Sequence, residues 1–370
     1  MAVYHLLLFT IILFGILQNR FLPAQWAKRT YCIAGGIGLT LISSLRFMVS
    51  TDYYNYWEGF LQSYFLSWED FSRQRFEKGY LAVSRLLSGF TLGYNILFVT
   101  FAILFATVIA CFIYRRSANA WVSFAAFICF GFLYNSMCFL RQYSALMVML
   151  FAFRYIEERR FFRFAVFVLL ASTFHISAIV MLPFYFILRL PMNRVTLPIA
   201  LVLCSVIYFK SETILGMVTK VAYKQHGLTS VEVIHGTSPG PAIAFLVFLI
   251  ICLMLYKPLV RRQPYNALLV NLLYWGTFLE LVGIKHAIIS RLALFFMTPA
   301  VILLAAELVD LVKKNFQSIT KNAGQTLAAA VLAYALLLAP MLVLHQHLLD
   351  INYNGVVPYQ SVFSEAFGDY

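Results

Sequence analysis

The chain contains 370 residues, of which 62% are hydrophobic and only 12% are charged, and its mean hydropathy is +0.81. This composition excludes an ordinary soluble protein, which needs far more charge on its surface. Continuous apolar runs of roughly 14–23 residues predict an all-α polytopic integral membrane protein and exclude a β-barrel, whose strands alternate in polarity. The net charge of +13 is typical of basic residues beside membrane spans, so nucleic-acid binding is not expected.

The apolar runs follow one another along the chain and predict about 11–12 transmembrane segments. Residues 2–17 lack a basic leader and a small-residue cleavage site, so they are interpreted as a retained span rather than a signal peptide. The remaining candidates are residues 31–49, 94–114, 121–134, 143–156, 164–188, 197–209, 241–256, 265–284, 292–311 and 325–344.

Two long apolar stretches are predicted to turn. Residues 121–156 would be about 54 Å long as one helix, which exceeds a single crossing, so a turn is expected within residues 135–142. Residues 164–188 are expected to bend near "STFH", because the basic residues on either side must then share one face of the membrane. A single crossing also fits the length of the second stretch.

The charges orient the chain, because basic residues gather in short loops on the cytoplasmic side of a membrane. Those loops carry Arg20, Lys28, Arg29, Arg115, Arg116, Arg154, Arg159, Arg160, Arg163, Arg189, Arg194, Lys257, Arg261, Arg262, Lys313, Lys314 and Lys321. The outer face then has a loop at 50–93, a second loop at 210–240, a turn at 285–291 and a tail at 345–370. We expect one membrane domain, 1–370, with an amphipathic interfacial helix inside the first loop.

Several charged residues lie at the outer ends of the spans, where ionisable side chains are costly and often functional. Arg46 either extends to the lipid headgroups or enters a site, and Asp52 is either a solvated loop residue or a functional acid. Glu77 precedes a helical pattern, where an acid favours the first turn. The alternative is that Glu77 points into a cavity.

Arginine and histidine residues add to this outer set. Arg141 and Gln142 lie in a turn that contains no acid, so an unpaired Arg141 favours an anionic ligand. His175 lies at the expected bend, where irregular backbone usually lines a cavity, although a lone membrane histidine is often structural. Lys285 and Arg291 lie close together in the sequence. Arg291 and Arg141 are both expected at the outer border, where they either extend to the headgroups as a pair or form a cationic pocket for phosphate or diphosphate.

The six cysteines lie within apolar runs without a C-x-x-C spacing, so they predict neither a disulfide framework nor a metal site. No P-loop, nucleophile elbow or zinc-binding histidine motif is present in the sequence. No cofactor is expected.

The outer segments together resemble the EpsG family of Wzy-like polysaccharide polymerases. "RFMVSTDYYNYWEGF", "FEKGY", "NSMCFLRQYSALMVML", "FHISAIVMLP", "SRLALFF" and "VVPYQSVF" follow that family's order and spacing from Arg46 to the tail. Ser50 replaces the family's usual glycine, and Phe47 replaces its usual tyrosine.

The resemblance implies a membrane glycosyltransferase of GT-C-like fold with an outward-facing cavity, in the bacterial plasma (inner) membrane. Its donor and acceptor would be undecaprenyl-diphosphate-linked oligosaccharides delivered by a flippase, without a nucleotide sugar. The product would be O-antigen, capsule or exopolysaccharide, and a chain-length regulator is a further expected partner.

The chemistry then suggests a role for each residue. Arg141 and Arg291 would bind the diphosphate, assisted by Arg46 or Lys285. His175 is the first choice of base and Asp52 the second, while Glu77 orients a sugar or an arginine. The residues expected to contact the substrate are Tyr53, Tyr56, Tyr80 and Gln142.

Three other functions share parts of this pattern. A lipid-linked oligosaccharide flippase would share the cationic cavity, but it should show two similar halves, which the sequence lacks. An O-antigen ligase would use the same donor with another acceptor. A secondary transporter needs no catalytic base.

Overall fold

The structure is a computed structural model that describes residues 1–21, 23–67, 69–70, 76–91, 93, 95–193, 195–213, 236–319 and 323–363. These residues are predominantly helical and contain no β-strand. An isolated antiparallel bridge between Arg46 and Ser361 joins the end of the second helix to the tail. The predicted all-α fold is therefore confirmed for the described part of the chain.

The helices are numbered here in chain order. They are α1 (Ala2–Phe21), α2 (Ala24–Ser44), α3 (Tyr53–Phe65), α4 (Lys78–Ser88), α5 (Asn95–Arg116), α6 (Ala120–Cys129), α7 (Phe132–Cys138), α8 (Leu140–Glu157), α9 (Phe161–Ser172), a 3₁₀ helix (Ile176–Val180), α10 (Met181–Ile187), α11 (Thr196–Phe209), α12 (Pro239–Met254), α13 (Tyr256–Arg262), α14 (Asn266–Gly283), α15 (Ala287–Ile319), α16 (Ala323–Asp350) and a second 3₁₀ helix (Tyr353–Gly355).

Within the described residues, three helices are long and apolar enough to cross a membrane. They are α5, α14 and the part of α15 at Ala287–Lys314. The bent pairs α6–α7 and α12–α13 raise the number to five if each pair is one span. These helices support a multi-pass membrane protein, while the 11–12 crossings and the GT-C-like architecture remain predictions.

The centre of the fold is built on α6, α14 and α15. Every residue of α6 is buried, and α15 is 94% buried over its most apolar window. Close helix packing needs small residues where two backbones approach. At Gly276 of α14, a Cβ atom would lie 2.4 Å from the sulfur of Met297 on α15. A larger residue at position 276 would therefore push the two central helices apart.

Both predicted turns in the long apolar stretches are present. Phe139 separates α7 from α8, so the helix breaks within residues 135–142, where the turn was expected. A second break precedes it at Gly131, whose φ of 76° begins a 58° bend between α6 and α7. The bend expected near "STFH" also forms, because α9 ends at Ser172 and His175 adopts extended backbone before the 3₁₀ helix.

The segment 50–93, predicted as the first outer loop, contains more helix than expected. It includes α3 in addition to the amphipathic helix expected after Glu77, which is α4. The buried residues of α4 include Tyr80 and Leu81, whereas Leu86 is 64% exposed. Most of the second loop, at 214–235, and the last part of the tail, at 364–370, lie outside the described residues.

Several of the basic connections meet at one end of the helices. Arg116 at the end of α5 pairs with Glu157 at the end of α8, with an Nη2–Oε1 distance of 3.2 Å. Lys28 of α2 donates to the carbonyl oxygen of Ser117 at 2.8 Å. This grouping supports the prediction that these connections share one side of the membrane. The residues of the candidate site lie at the other end of α8.

Candidate active site

The segment that begins at Arg46 packs directly on the turn between α7 and α8. The Ser50 hydroxyl donates to the carbonyl oxygen of Met137 at 3.2 Å, and Thr51 Oγ1 lies 3.1 Å from Cys138 Sγ. Ser50 has a φ of 92°, in the left-handed region that favours glycine. The family's usual glycine at this position therefore suits the local backbone.

The tail fills the space beside this contact. The backbone N–H groups of Ser50 and Thr51 donate to the carbonyl oxygens of Gly355 and Asn354, both at 3.0 Å. Asn135 of α7 accepts hydrogen bonds from the Tyr353 hydroxyl at 3.2 Å and from the Asn354 amide at 2.8 Å. Three segments that are distant in sequence thus form one connected structure.

Glu77 links two more of the candidate segments. Its Oε2 lies 2.5 Å from Arg141 Nη1, and its Oε1 lies 2.9 Å from His175 Nδ1. Oε1 also accepts from the backbone N–H of Ile176 at 3.3 Å. One carboxylate therefore holds a cation and an imidazole that come from α8 and from the break after α9.

Gly79 fixes the position of this carboxylate. Its N–H donates to the carbonyl oxygen of Thr173 at 2.7 Å. A Cβ atom at position 79 would lie 2.8 Å from the same oxygen and 2.7 Å from Thr173 Oγ1. The absence of a side chain lets the start of α4 approach the broken helix, which brings Glu77 within reach of His175.

The electrostatics keep Glu77 ionised. Burial opposes the charged form, but the hydrogen bond from His175 and the charge of Arg141 outweigh it and lower the pKa of Glu77 to about 2. The guanidinium of Arg141 also lies over the Phe76 ring, 4.7 Å from its centroid. The expectation that Arg141 has no acidic partner is therefore wrong. Its partner is Glu77, which lies 64 residues away in the sequence and thus outside the turn that contains Arg141.

His175 presents one ring nitrogen to Glu77. In the tautomer that donates from Nδ1 to this carboxylate, the other ring nitrogen, Nε2, is a hydrogen-bond acceptor. Within the described residues, no hydrogen bond to Nε2 is formed. The side chain is 23% exposed, so part of the ring is accessible from the protein surface.

Arg291 lies on the other side of the α7–α8 turn. Gln142 donates from Nε2 to the backbone carbonyl oxygen of Arg291, which holds the start of α15 against α8. The Arg291 guanidinium lies 4.6 Å from the centroid of Phe139. In the described part of the chain, Arg291 forms no ion pair with an acid.

Arg291 also lines a cavity of about 130 Å³. Glu280 of α14 lines the same cavity and is only 6% exposed, and it is not among the residues predicted from the sequence. The signal was available, since Glu280 is an acid inside the apolar run 265–284, and intramembrane acids are functional candidates by default.

The other predicted cations lie apart from this cavity. Arg46 is 2% exposed, donates to the carbonyl oxygen of Ser43 at 3.1 Å and lies 4.9 Å from the centroid of Phe98. It is therefore enclosed by protein and does not extend to lipid headgroups. Lys285 lies 4.1 Å from the centroid of Tyr208, at the end of α11. Neither side chain lines the cavity beside Arg291.

The aromatic residues expected to contact sugars lie inside the protein. Tyr53 is 2% exposed and stacks on Phe98, with ring centroids 4.2 Å apart. Tyr56 is buried, and its ring contacts Tyr80 at 5.6 Å. These rings are part of the protein interior. Asp52 directly precedes α3, lies beside Cys138 and is half-buried.

Metal ligands are not grouped in the described residues, where no cluster of three or more histidine, cysteine, aspartate or glutamate side chains is present. The geometry brings together the Glu77 carboxylate, the His175 imidazole and the Arg141 guanidinium, and Arg291 lies beside Phe139 and Gln142 at the adjoining cavity. Such a set can hold an anionic leaving group and accept a proton from a hydroxyl.

The fold and the site define a multi-pass α-helical membrane protein with a cationic, histidine-containing cluster assembled from distant segments. The EpsG family model matches residues 29–361, and the chain belongs to the EpsG family, a family of Wzy-like polymerases. Comparisons with curated proteins and with solved structures gave no match.

Proposed function

We propose that this protein transfers a growing glycan from undecaprenyl diphosphate to a sugar hydroxyl of the next lipid-linked repeat unit, on the outer face of the plasma membrane. The observation that carries this proposal is the pairing of Glu77 with both Arg141 and His175. A glycosyl transfer between lipid-linked units needs a cation for the leaving group and a base for the acceptor, and this cluster provides both.

In the proposed step, the acceptor oxygen forms a bond to the anomeric carbon of the donor. The bond between that carbon and the diphosphate oxygen breaks, and the leaving diphosphate keeps the electron pair. The acceptor proton passes to His175 Nε2. The ionised Glu77 stabilises the imidazolium that results, because its carboxylate accepts the Nδ1–H bond.

Arg141 and Arg291 would stabilise the charge that develops on the leaving diphosphate, since preorganised cations lower the barrier where charge develops. The hydrogen bond from Gln142 to the backbone of Arg291 attaches the start of α15 to α8, the helix that carries Arg141. Arg291 is the better placed of the two for direct contact, because it is exposed and forms no ion pair in the described part of the chain. Asp52 is the alternative base.

The test is incubation of the purified protein with lipid-linked repeat units, followed by separation of the glycans by length. A ladder of products is expected from the wild type, and no ladder is expected from Arg291→Ala at equal membrane expression. A flippase would instead move the lipid-linked unit across vesicles without lengthening it. A ligase would extend a different acceptor and leave the repeat units unpolymerised.

A further inference from the structure

The cavity beside Arg291 is lined by both polar and aromatic side chains. Glu280, Arg291 and Asn135 contribute polar groups, while Phe132, Phe139 and Phe245 contribute aromatic rings. The cavity lies between α7, α12, α14, α15 and the tail, next to the turn that carries Arg141. The candidate active site and this cavity therefore share the α7–α8 segment as a common wall.

Glu280 has no partner within the protein as described. No hydrogen bond or ion pair of its carboxyl group is formed in the described residues, although 94% of the residue is shielded from solvent. A buried carboxyl group without a hydrogen-bond partner is costly, so such groups are retained where a ligand completes them. Because Glu280 lines the cavity, the ligand would bind there.

Arg291 identifies the other half of the ligand. It lines the same cavity as Glu280, yet the two side chains do not pair. A phosphate bound to Arg291 alone would leave the carboxyl group of Glu280 without a hydrogen-bond partner, and a hydrocarbon chain would satisfy neither side chain. A molecule with an anionic group at one end and hydroxyl groups at the other satisfies both.

The size and the walls restrict this molecule further. The cavity volume is about 130 Å³, and about 10–15 Å³ by this measure holds one water molecule, so the cavity has room for a group larger than a few waters. The phenylalanine rings offer apolar faces to the C–H side of a sugar. The amides of Asn135 and Asn354 lie at the cavity edge, where they can contact ring hydroxyls.

We propose that this cavity is the subsite for the sugar ring attached directly to the diphosphate of a lipid-linked unit, with Arg291 on the phosphate and Glu280 accepting a bond from a ring hydroxyl. This assignment rests on the proposed polymerase function, and it names the part of the substrate that the protein recognises. Glu280 is then a specificity-determining residue, since its position selects sugars with a hydroxyl in reach.

The test uses the purified protein in lipid nanodiscs and measures direct binding by calorimetry. The probes are glucose 1-phosphate, galactose 1-phosphate, N-acetylglucosamine 1-phosphate and inorganic phosphate. At least one sugar phosphate should bind the wild type tighter than inorganic phosphate does. Glu280→Gln replaces one oxygen of the carboxyl group by an NH₂ group, so it should weaken binding of that sugar phosphate roughly tenfold by breaking a buried hydrogen bond. Binding of inorganic phosphate should not weaken. Glu157→Gln, the same change at the far end of α8, should alter neither.

A second variant tests the cavity without touching Glu280 or Arg291. Ala287 lines the cavity, so Ala287→Leu fills part of it and should abolish sugar phosphate binding while inorganic phosphate still binds. Ala165→Leu on α9 is the matched control and should bind both probes normally. Equal sugar phosphate binding by the wild type, Glu280→Gln and Ala287→Leu would overturn the assignment, as would tighter binding of inorganic phosphate than of every sugar phosphate.

The binding test and the polymerisation test fail independently. If the wild type forms polymer but Glu280→Gln does not change sugar phosphate binding, the proposed subsite is wrong and the polymerase function stands. If sugar phosphate binding depends on Glu280 but the wild type forms no polymer, the polymerase function is wrong and the cavity is still a sugar phosphate site.

Discussion

Replacement of Glu77 by glutamine tests the central contact of the site. The substitution preserves the size of the side chain and removes its charge, so the bonds to Arg141 and His175 lose their charge-assisted character. His175 also loses the carboxylate that selects its tautomer. We expect both the stability and the turnover of the protein to fall, for separate physical reasons.

The structure sets the size of the stability effect. The pKa of Glu77 falls from 4.5 to about 2, which corresponds to about 3 kcal/mol in favour of the ionised carboxylate. The side chains of Glu77 and Arg141 are 16% and 22% exposed, so a loss of roughly 2–3 kcal/mol is expected, below the 3–5 kcal/mol range for a fully buried pair. The loss of an oriented base predicts a turnover about 10²–10⁴ times lower.

The sign of the pH dependence follows from the lowered pKa. The stabilising contribution of Glu77 is fully present above about pH 4.5 and is lost as the pH falls towards 2, because the carboxylate is then protonated in the folded protein. Thermal unfolding in nonionic detergent, followed from pH 7 to pH 3, should show this loss in the wild type. Glu77→Gln should be less stable at pH 7 and should lack that part of the acid destabilisation.

Glu157→Gln is the control, because it removes a carboxylate from the partly exposed pair with Arg116 at the far end of α8. It should lower stability by no more than about 1 kcal/mol and leave the glycan ladder unchanged. If Glu77→Gln has the stability and the glycan ladder of the wild type, the contacts of Glu77 with Arg141 and His175 contribute neither to stability nor to turnover.

Three further substitutions give distinct results. His175→Gln should still bind the lipid-linked glycan, and its rate in single-turnover assays should fall about 10²–10⁴-fold. Loss of binding in a folded variant would instead show that His175 contacts the ligand. Arg46→Met should change the unfolding free energy by less than about 1 kcal/mol. The desolvation relieved at two Arg46 nitrogens that form no hydrogen bond within the described residues offsets the lost contacts with Ser43 and the Phe98 ring. A large thermal destabilisation would contradict this. Gly79→Ala should cost about 1–3 kcal/mol of stability and reduce polymer formation, because its Cβ clashes with Thr173, whereas Gly89→Ala, with φ −68° and ordinary contacts, should be tolerated in both assays.

Local sequence patterns were sufficient for the class of protein and for the breaks in its helices. The apolar runs predicted the helical fold, and the length of the run 121–156 required the turn that the structure has at Phe139. The helix after Glu77 and the bend before His175 were also predicted correctly. These features depend on hydrophobicity, length and backbone preference, which are properties of neighbouring residues.

The family motifs identified most of the candidate residues but not their contacts. The sequence indicated Glu77, Arg141 and His175 as separate candidates, and it suggested an unpaired Arg141. The structure instead brings all three together, although Glu77 lies 64 and 98 residues from its two partners. No local pattern carries that information, because the contact depends on how α4, α8 and the break after α9 pack.

Burial was likewise decided by the tertiary structure. Arg46 and Tyr53 lie near the end of an apolar run, where the sequence is equally compatible with the membrane surface and with an enclosed site. The packing of α2, α5 and the tail encloses them. Glu280 shows the reverse case. It lies within an apolar run and was not among the predicted site residues, yet it lines a cavity together with Arg291. The sequence by itself determined the helices and the kinds of chemical group available, whereas the packing of distant helices determined which groups meet, because only packing fixes distances between residues far apart in the chain.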